Sequence, residues 1–582
     1  MRSSSYFFDS YVDAPQRWVD ARVRIKNLYD INRRNTIAST DSDELLWLSR
    51  VADTINGKDY MSHKIAVLDG SWILDGTCEI ISLIDMPASL GFWGKWPSYN
   101  NGNINYSVSY ELRSPVNPPD EMWEFPGLTI FFDDKHNLWA TDFTIDIYKY
   151  LNSTTPEQTI TITGHSGPVF VLNQHLSSVR EIKITFTKMS EGNRLFRFSG
   201  IEFGPVDTIN KRDLMSLRVI EEASIDNSAL PYGTLEFAFD IKSRGELLDK
   251  MWQGLPIDID IGIGDNPNNI EYIYFGRYYF YKSEYKEGEL GAKIIAYDML
   301  YQLDNIEYPY GTVGTAGNDV VMDMLLYNRG IEYDVGTPVT IGKAFPITSI
   351  RDCIRLVAQA SAKTCIKRDE VLEFVNIGSG STVATINDNR MLEYPNKVTS
   401  EKVKEVQVKI NEIKKTAETR SIVFDGKVRG VMNSGPRVYL THPATDLIAT
   451  LDGNSEFIIG YLRVAVLPFV WAGLHDLVIE GYRDEVSGQL LIKTNADGKK
   501  NILIDNPLIV NETIADSVGT WLKQLYNYTT SWEIVDRGDP RLQIGDVVTL
   551  DYKGAHNCVI IKQEFVFDGS LTAYTTLLEV PT

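Results

Sequence analysis

The sequence predicts a mainly β, multidomain chain, and three observations carry this. The chain has 582 residues, and at roughly 100–200 residues per domain that length accommodates several separate cores. Apolar and polar residues alternate in many short runs, the mark of half-buried strands. Turn residues such as Asp75-Gly76, Glu191-Gly192-Asn193 and Asp568-Gly569 separate those runs at short intervals, as in sandwiches and barrels.

The clearest strands come in this order. Over 141–148, Phe143, Ile145 and Ile147 share one face. Over 181–187, Ile182, Ile184 and Phe186 do the same. Over 234–240, Leu235, Phe237 and Phe239 line up. Helical patterns are few. Ser349 with Asp352 three residues on is a capping-box spacing, followed by the stripe Ile350, Ile354, Val357 and Ala358. Thr513 and Asp516 repeat the spacing ahead of Ile514, Val518, Trp521, Leu522 and Leu525. Segments 317–328 and 40–55 are further helix candidates. Composition shifts near 85–98, 204–214, 310–318, 388–398 and 475–484 mark boundaries, and 310–318 reads as a glycine-rich linker.

Hydrophobic residues make up 43% and charged residues 23%, which is ordinary for a folded soluble chain and excludes disorder over most of its length. Lys and Arg number 57 against 78 Asp and Glu, for a formal net charge of −21. Such a surface repels nucleic acid and anionic membranes unless a local basic groove exists. Basic runs such as Lys211-Arg212 and Lys414-Lys415 reach only two residues, too short to track phosphates, so no nucleic-acid sequence recognition is expected. No stretch reaches the length of a membrane helix, so no membrane insertion is expected. The first residues lack the apolar core and cleavage site of a signal peptide. Cys78, Cys353, Cys365 and Cys558 are too sparse for a disulfide framework and read as buried thiols made in a reducing cytoplasm. The 30 tyrosines and 11% aromatics suit both strands and contact surfaces.

Catalytic patterns are missing. The seven histidines include no pair at helical spacing and no HExxH, so zinc is not expected. Gly378-Ser379-Gly380-Ser381 lacks the nucleophile-elbow spacing and reads as a turn. No P-loop occurs, and Gly262-Ile263-Gly264 lacks the third glycine and the helix of a dinucleotide site. The acidic pairs Asp133-Asp134, Glu221-Glu222 and Asp258/Asp260 read as solvated faces or turns rather than a glycosidase pair.

Two segments, 127–148 (GLTIFFDDKHNLWATDFTIDIY) and 181–204 (EIKITFTKMSEGNRLFRFSGIEFG), together resemble the galactose-binding-like jelly roll over about 90–205. The segment IAVLDGSWILDG at 65–76, followed by GFWGKWPSYNNG at 91–102, resembles the N-terminal region of tail proteins from phages and prophages of Gram-positive bacteria. The blocks at 216–241, 254–263, 275–284 and 292–304 resemble, in that order, the first β-barrel of the phage tail hub family. That family includes baseplate hubs and the N-terminal part of tail-associated lysins. WEIVDRGDPRLQIGDVVTLDY at 532–552 and CVIIKQEFVFDGSLTAYTT at 558–576 resemble its last strands, and RGDPRLQIGDVV is the most specific piece. Arg537-Gly538-Asp539 also matches an integrin-type tripeptide, but the proline and strand that follow explain its order better.

The resemblance implies β-barrel hub domains with a jelly-roll insertion and small α+β domains. Residues 1–89 would lead to the insertion at 90–205. Residues 206–316 would form one barrel, 317–397 a small α+β domain, 398–480 most of a second barrel, and 481–582 a C-terminal α+β domain with closing strands. It also implies a homotrimer around the tail axis, in which two similar barrels per chain match a sixfold tube. Partners would be the tail tube or distal tail protein and a central spike or fibre, in a virion assembled from chains made in the bacterial cytoplasm. No murein hydrolase follows the hub, so no enzymatic activity is expected. Two other functions compete: a carbohydrate-binding adhesin acting through the jelly roll, and a polysaccharide-degrading enzyme. A cell-wall glycan would meet Trp93, Trp96, Tyr99 and Trp139, since aromatic faces stack on sugars; the alternative is that these four pack the insertion. No cofactor is expected apart from calcium in the jelly roll, at the turn carrying Asp133 and Asp134.

Overall fold

The structure is a computed structural model. It describes residues 1–26, 37–40, 92–113, 123–132, 138–150, 153–202, 206–430, 437–467 and 473–580, with short gaps inside those ranges. The helix candidate 40–55, the motif 65–76 and Cys78 therefore lie outside the described residues.

One sheet of 13 strands organises the body. Its first part runs from Val206–Ile209 through Trp18–Lys26, Pro256–Asn266, Asn269–Glu284, Gly291–Tyr297 and Thr234–Asp240 to Leu214–Glu222, all antiparallel. The sheet curls, because its inward side chains converge on one core. Val19, Ala21 and Val23 meet Leu217, Val219, Phe237, Ile259, Ile261 and Ile294 there. These residues alternate along every strand, which is why the period-two pattern was so plain in the sequence.

The sheet then continues through Ala555–Phe567, Leu571–Glu579, Thr530–Asp536 and Asn396–Thr399, with Val547–Asp551 and Thr382–Ile386 attached along the first of these. This second part wraps a separate core of Trp532, Ile534, Leu542, Ile544, Val548, Leu550, Cys558, Ile560 and Leu577. The hairpin 555–579 serves both cores. Its tip residues Phe565, Phe567, Leu571 and Ala573 face the first core, while Cys558, Ile560 and Leu577 face the second. A register shift between Ile560 and Lys562 marks the bend that re-aims the strand. Asp568-Gly569 makes the predicted turn, with Gly569 at φ 105°.

The region at 92–202 is a two-sheet sandwich. Ile37–Thr40, Asn103–Arg113, Glu181–Met189, Ala140–Tyr148 and Gln158–Ile162 form one sheet. Phe92–Pro97, Leu195–Glu202, Leu128–Phe132 and Val169–Leu172 form the other. Phe132, Phe143, Phe186 and Phe196 fill the space between, with Phe186 and Phe196 centroids 4.4 Å apart.

A mixed α/β region occupies the middle of the chain. Its core gathers the helices Asn318–Leu326, Ile350–Ala360 and Glu512–Leu525 with the three-stranded sheet of Leu490–Thr494, Val403–Lys409 and Lys500–Ile504. Ser349 caps the second helix by accepting a hydrogen bond from the Asp352 N–H, as its spacing predicted. The third helix starts earlier than Thr513. Asn511 is its cap, accepting from the Ile514 N–H, and an asparagine serves as well as a threonine there. Segment 311–317, read from composition as a linker, is a strand paired with Thr340–Ala344. The segment read as the second barrel, 398–480, places its strands in several sheets. Those over 413–486 surround the long strand Gly473–Val486 and have a core of their own. Among the described residues no helix is long and apolar enough to cross a membrane.

Candidate functional site: a buried ionic junction

The run 537–546 folds into a compact socket rather than an exposed loop. Gly538 and Gly545 adopt φ of 72° and 83°, which favour glycine. A Cβ on Gly545 would lie 2.6 Å from Ile366 Cδ1, so the close approach also needs it. Asp536 accepts from the Gly538 N–H at 2.6 Å, and Asp539 accepts from the Arg541 N–H at 3.1 Å. Leu542 and Ile544 then drop into the second core. The Arg-Gly-Asp tripeptide lies within this fold, and Asp539 is only 1% exposed.

The N-terminal arm fills the socket. The Arg2 guanidinium donates to the carbonyls of Pro540 at 2.9 Å and Phe275 at 2.8 Å and lies 4.3 Å over the Phe275 ring. The helix Tyr6–Val12 follows, and its Phe8 and Val12 bury against Ile263 and Ile273 of the first barrel part. Arg541 pairs with Asp9 at 2.5 Å and grips Asp539 through two bonds of 2.9 and 2.8 Å. Arg390 reaches the same Asp539 at 3.2 Å. Arg17 donates to the Arg537 and Gly538 carbonyls, and Arg537 donates back to the Ala14 carbonyl at 2.8 Å.

Burial and pairing compete here. Burial disfavours the Asp539 charge, but the Arg541 hydrogen bonds and the Arg390 charge hold its carboxyl below the usual range. Asp536 is pushed up by burial, which Arg390 offsets only in part. Burial, reinforced by the neighbouring Arg537, lowers Arg17 to about 10.

A second cluster lies where the first barrel part meets the mixed α/β region. Lys367 Nζ stands 3.4 Å from Asp298 and 3.8 Å from both Glu221 and Glu370. Burial alone would neutralise this amine, yet Glu370, Asp298 and Glu221 keep it well above the usual range. Glu370 itself is pushed up by burial and accepts from the Arg277 N–H. Arg277 grips Asp258 with bonds of 2.8 and 3.2 Å. Arg2 links the two clusters, 3.7 Å from Glu221. Arg2, Arg17 and Arg537 bond backbone carbonyls of distant segments. Arg541, Arg390, Arg277 and Lys367 pair with buried acids, and together these contacts tie the segments to one another.

The residues predicted from sequence fall elsewhere. Asp133 and Asp134 lie outside the described residues. Trp93 and Trp96 sit on the strand Phe92–Pro97, with side chains outside the description. Tyr99 is 58% exposed, whereas Trp139 is half-buried against the sandwich core. Both adjoin the turn at 189–193: Trp139 shares backbone and side-chain bonds with Ser190, and the Tyr99 carbonyl accepts from Asn193. Among the described residues no group of His, Cys, Asp and Glu is placed to hold a metal ion. The ionic junction was missed as a site. The run 537–546 was read for turn, strand and an integrin-type tripeptide, and Glu221, Asp258 and Asp260 as solvated acids, whereas these three are buried, 8%, 0% and 0% exposed, and paired with bases.

No family model and no curated protein matches the chain. Among solved structures, the 43 kDa tail protein of prophage MuSo2 from Shewanella oneidensis is 11% identical with a TM-score of 0.38, over 64% of this chain and 95% of that one. The tail protein from Neisseria meningitidis MC58 is 9% identical with a TM-score of 0.40, over 64% and 94%. Prophage tail protein gp18 from Listeria monocytogenes EGD-e is 10% identical with a TM-score of 0.35, over 64% and 91%. Scores this low lie below the level that establishes a shared fold.

Proposed function

We propose that this chain is a structural hub of a phage tail tip, baseplate or tailocin. It acts as a trimeric adaptor between the tail tube and the distal spike or fibre proteins, and has no catalytic role. One observation carries the reading. A single curled sheet wraps two separate cores within one chain, joined by the hairpin 555–579. Two barrel-like strand groups per chain are what a threefold hub needs to meet a sixfold tube, the arrangement the sequence resemblance implies. The ionic junction supports the same role, because an adaptor under load needs its segments locked rather than hinged. The sandwich at 92–202 supports the reading of an inserted galactose-binding-like jelly roll. The experiment is a native mass measurement combined with electron microscopy of the protein mixed with tail-tube protein. A mass three times 65.8 kDa and rings capping the tube are expected. A single chain that ignores the tube would sink the proposal.

A second reading is kept for the sandwich alone. The exposed Tyr99 leaves an aromatic face open to a cell-wall glycan, as in an adhesin. Pull-down on purified cell wall separates the two, since an adhesin binds as a single chain.

A further inference from the structure

The hairpin 555–579 passes from one core to the other partway along, and a polar row marks the crossing. On its inward side Phe565 stands opposite Ala573 in the first core, and Ile560 opposite Leu577 in the second. Between these pairs Gln563 stands opposite Thr575. Glu221 flanks Gln563 in register on the neighbouring strand Leu214–Glu222. Gln563, Thr575 and Glu221 are 1, 3 and 8% exposed, so bulk solvent does not serve them.

Direct bonds do not satisfy this row. Gln563 Oε1 and Thr575 Oγ1 are fully buried without a hydrogen-bond partner. So is Arg2 Nε, which stands 3.4 Å from the Asp369 carboxylate without bonding to it. Glu221 is approached by the Tyr278 hydroxyl at 3.5 Å, Arg2 at 3.7 Å and Lys367 at 3.8 Å. Charged partners in direct contact close to about 2.7–2.9 Å. The same fold reaches that range at other buried acids, with Arg277 and Asp258 at 2.8 Å and Arg541 and Asp539 at 2.8 Å. The looser spacing is therefore particular to Glu221. A buried polar atom without a partner is costly, and polar groups held beyond 3.5 Å call for a bridge.

The chemistry of the row selects the bridge. Glu221 and Gln563 Oε1 need a donor, Arg2 Nε needs an acceptor, and Thr575 Oγ1 serves as either. Arg2 and Lys367 repel a metal cation, and Glu221 repels an anion. What remains is a neutral molecule that both donates and accepts and fits a closed interior. We propose that ordered water occupies this row and bridges Glu221, Gln563 and Thr575 to one another and to Arg2 of the N-terminal arm. Buried waters typically make about three such bonds, which these groups supply. The joint between the two cores is then a hydrated layer rather than a dry contact.

The test uses the full chain and two variants that keep side-chain shape while removing a polar atom, Thr575→Val and Gln563→Met. A water-bridged group stabilises the fold, so each variant should lower the melting temperature of the body by about 2–4 °C. An unbridged buried group is a burden, and its removal raises the melting temperature. A rise or no change in both variants would overturn the proposal. The second measurement is a high-resolution crystal structure of the wild type, which decides the matter even where a variant fails to fold. It should show water within hydrogen-bond distance of Thr575 Oγ1 and Gln563 Oε1. A map in which the row is dry, or in which Thr575 bonds Gln563 directly, would overturn the proposal whatever the melting temperatures.

Discussion

The sandwich at 92–202 and the ionic junction around 537–546 are built on opposite physics. The sandwich relies on phenylalanines stacked between two sheets. The junction buries arginines and aspartates, and each is tolerable only because its partner is in place. An apolar core is forgiving in geometry and scales with area. A buried ion pair adds little net stability over an apolar replacement, but losing one member is costly. The sandwich is therefore a store of stability, and the junction a specification of how the arm and barrels meet.

The sharpest test of that contrast removes one aromatic. Phe186→Ala should cost the sandwich about 4 kcal/mol, read as an early unfolding step in denaturant while the body's transition stays put. If both transitions move together, the two regions are not independent. Asp539→Ala should cost the body about 3 kcal/mol, because Arg541 and Arg390 lose their buried carboxylate and keep only the exposed Asp9 and Asp13. A loss below 1 kcal/mol would mean the arm is not locked there.

The pH response should separate the two regions further. The Asp539 carboxyl is held low in the fold, so its contribution is complete above the unfolded pKa of about 3.9 and lost as pH falls through the folded value. Asp536 and Glu370, pushed up by burial, act in the opposite sense and favour the fold more as they protonate. Denaturant melts of Asp539→Asn against pH should therefore show its deficit narrowing on acidification, with the sandwich transition the same in variant and wild type at each pH. A constant deficit would assign the effect to packing. Tyr99→Ala should change stability by less than about 0.5 kcal/mol, as at other exposed sites. The smallest expected effect concerns the thiols. Cys353, Cys365 and Cys558 are buried, with burial pushing each up to about 12, so a thiol reagent should label none of them before denaturation.

The strands at 140–148, 181–189 and 234–240 were legible because alternation reports a half-buried face directly. The Ser349 cap was legible for a similar reason, since its partner lies three residues away. Pairing was not. Nothing local says that Leu214–Glu222 lies beside Ala555–Phe567, because register between distant strands is settled by side chains that meet only in the fold. The junction was hidden for the same reason. Arg2 and Asp9 look like solvated residues until Pro540 and Arg541 arrive. The glycines of 311–317 looked like a linker because composition reports flexibility and not the presence of a partner strand.

The shared hairpin sets an order of events during synthesis. The sandwich pairs strands within about a hundred residues of one another and can form soon after it leaves the ribosome. The barrels cannot. Leu214–Glu222 waits for 562–567, and the second core needs 571–579, so both are completed only when the last strands emerge. Such long-range closure is slow and leaves sheet edges open meanwhile. A nascent chain would carry a finished sandwich beside half-made barrels. Strand edges of neighbouring nascent chains would then compete with the late hairpin, and dilution or a holding chaperone would raise the yield of native protein.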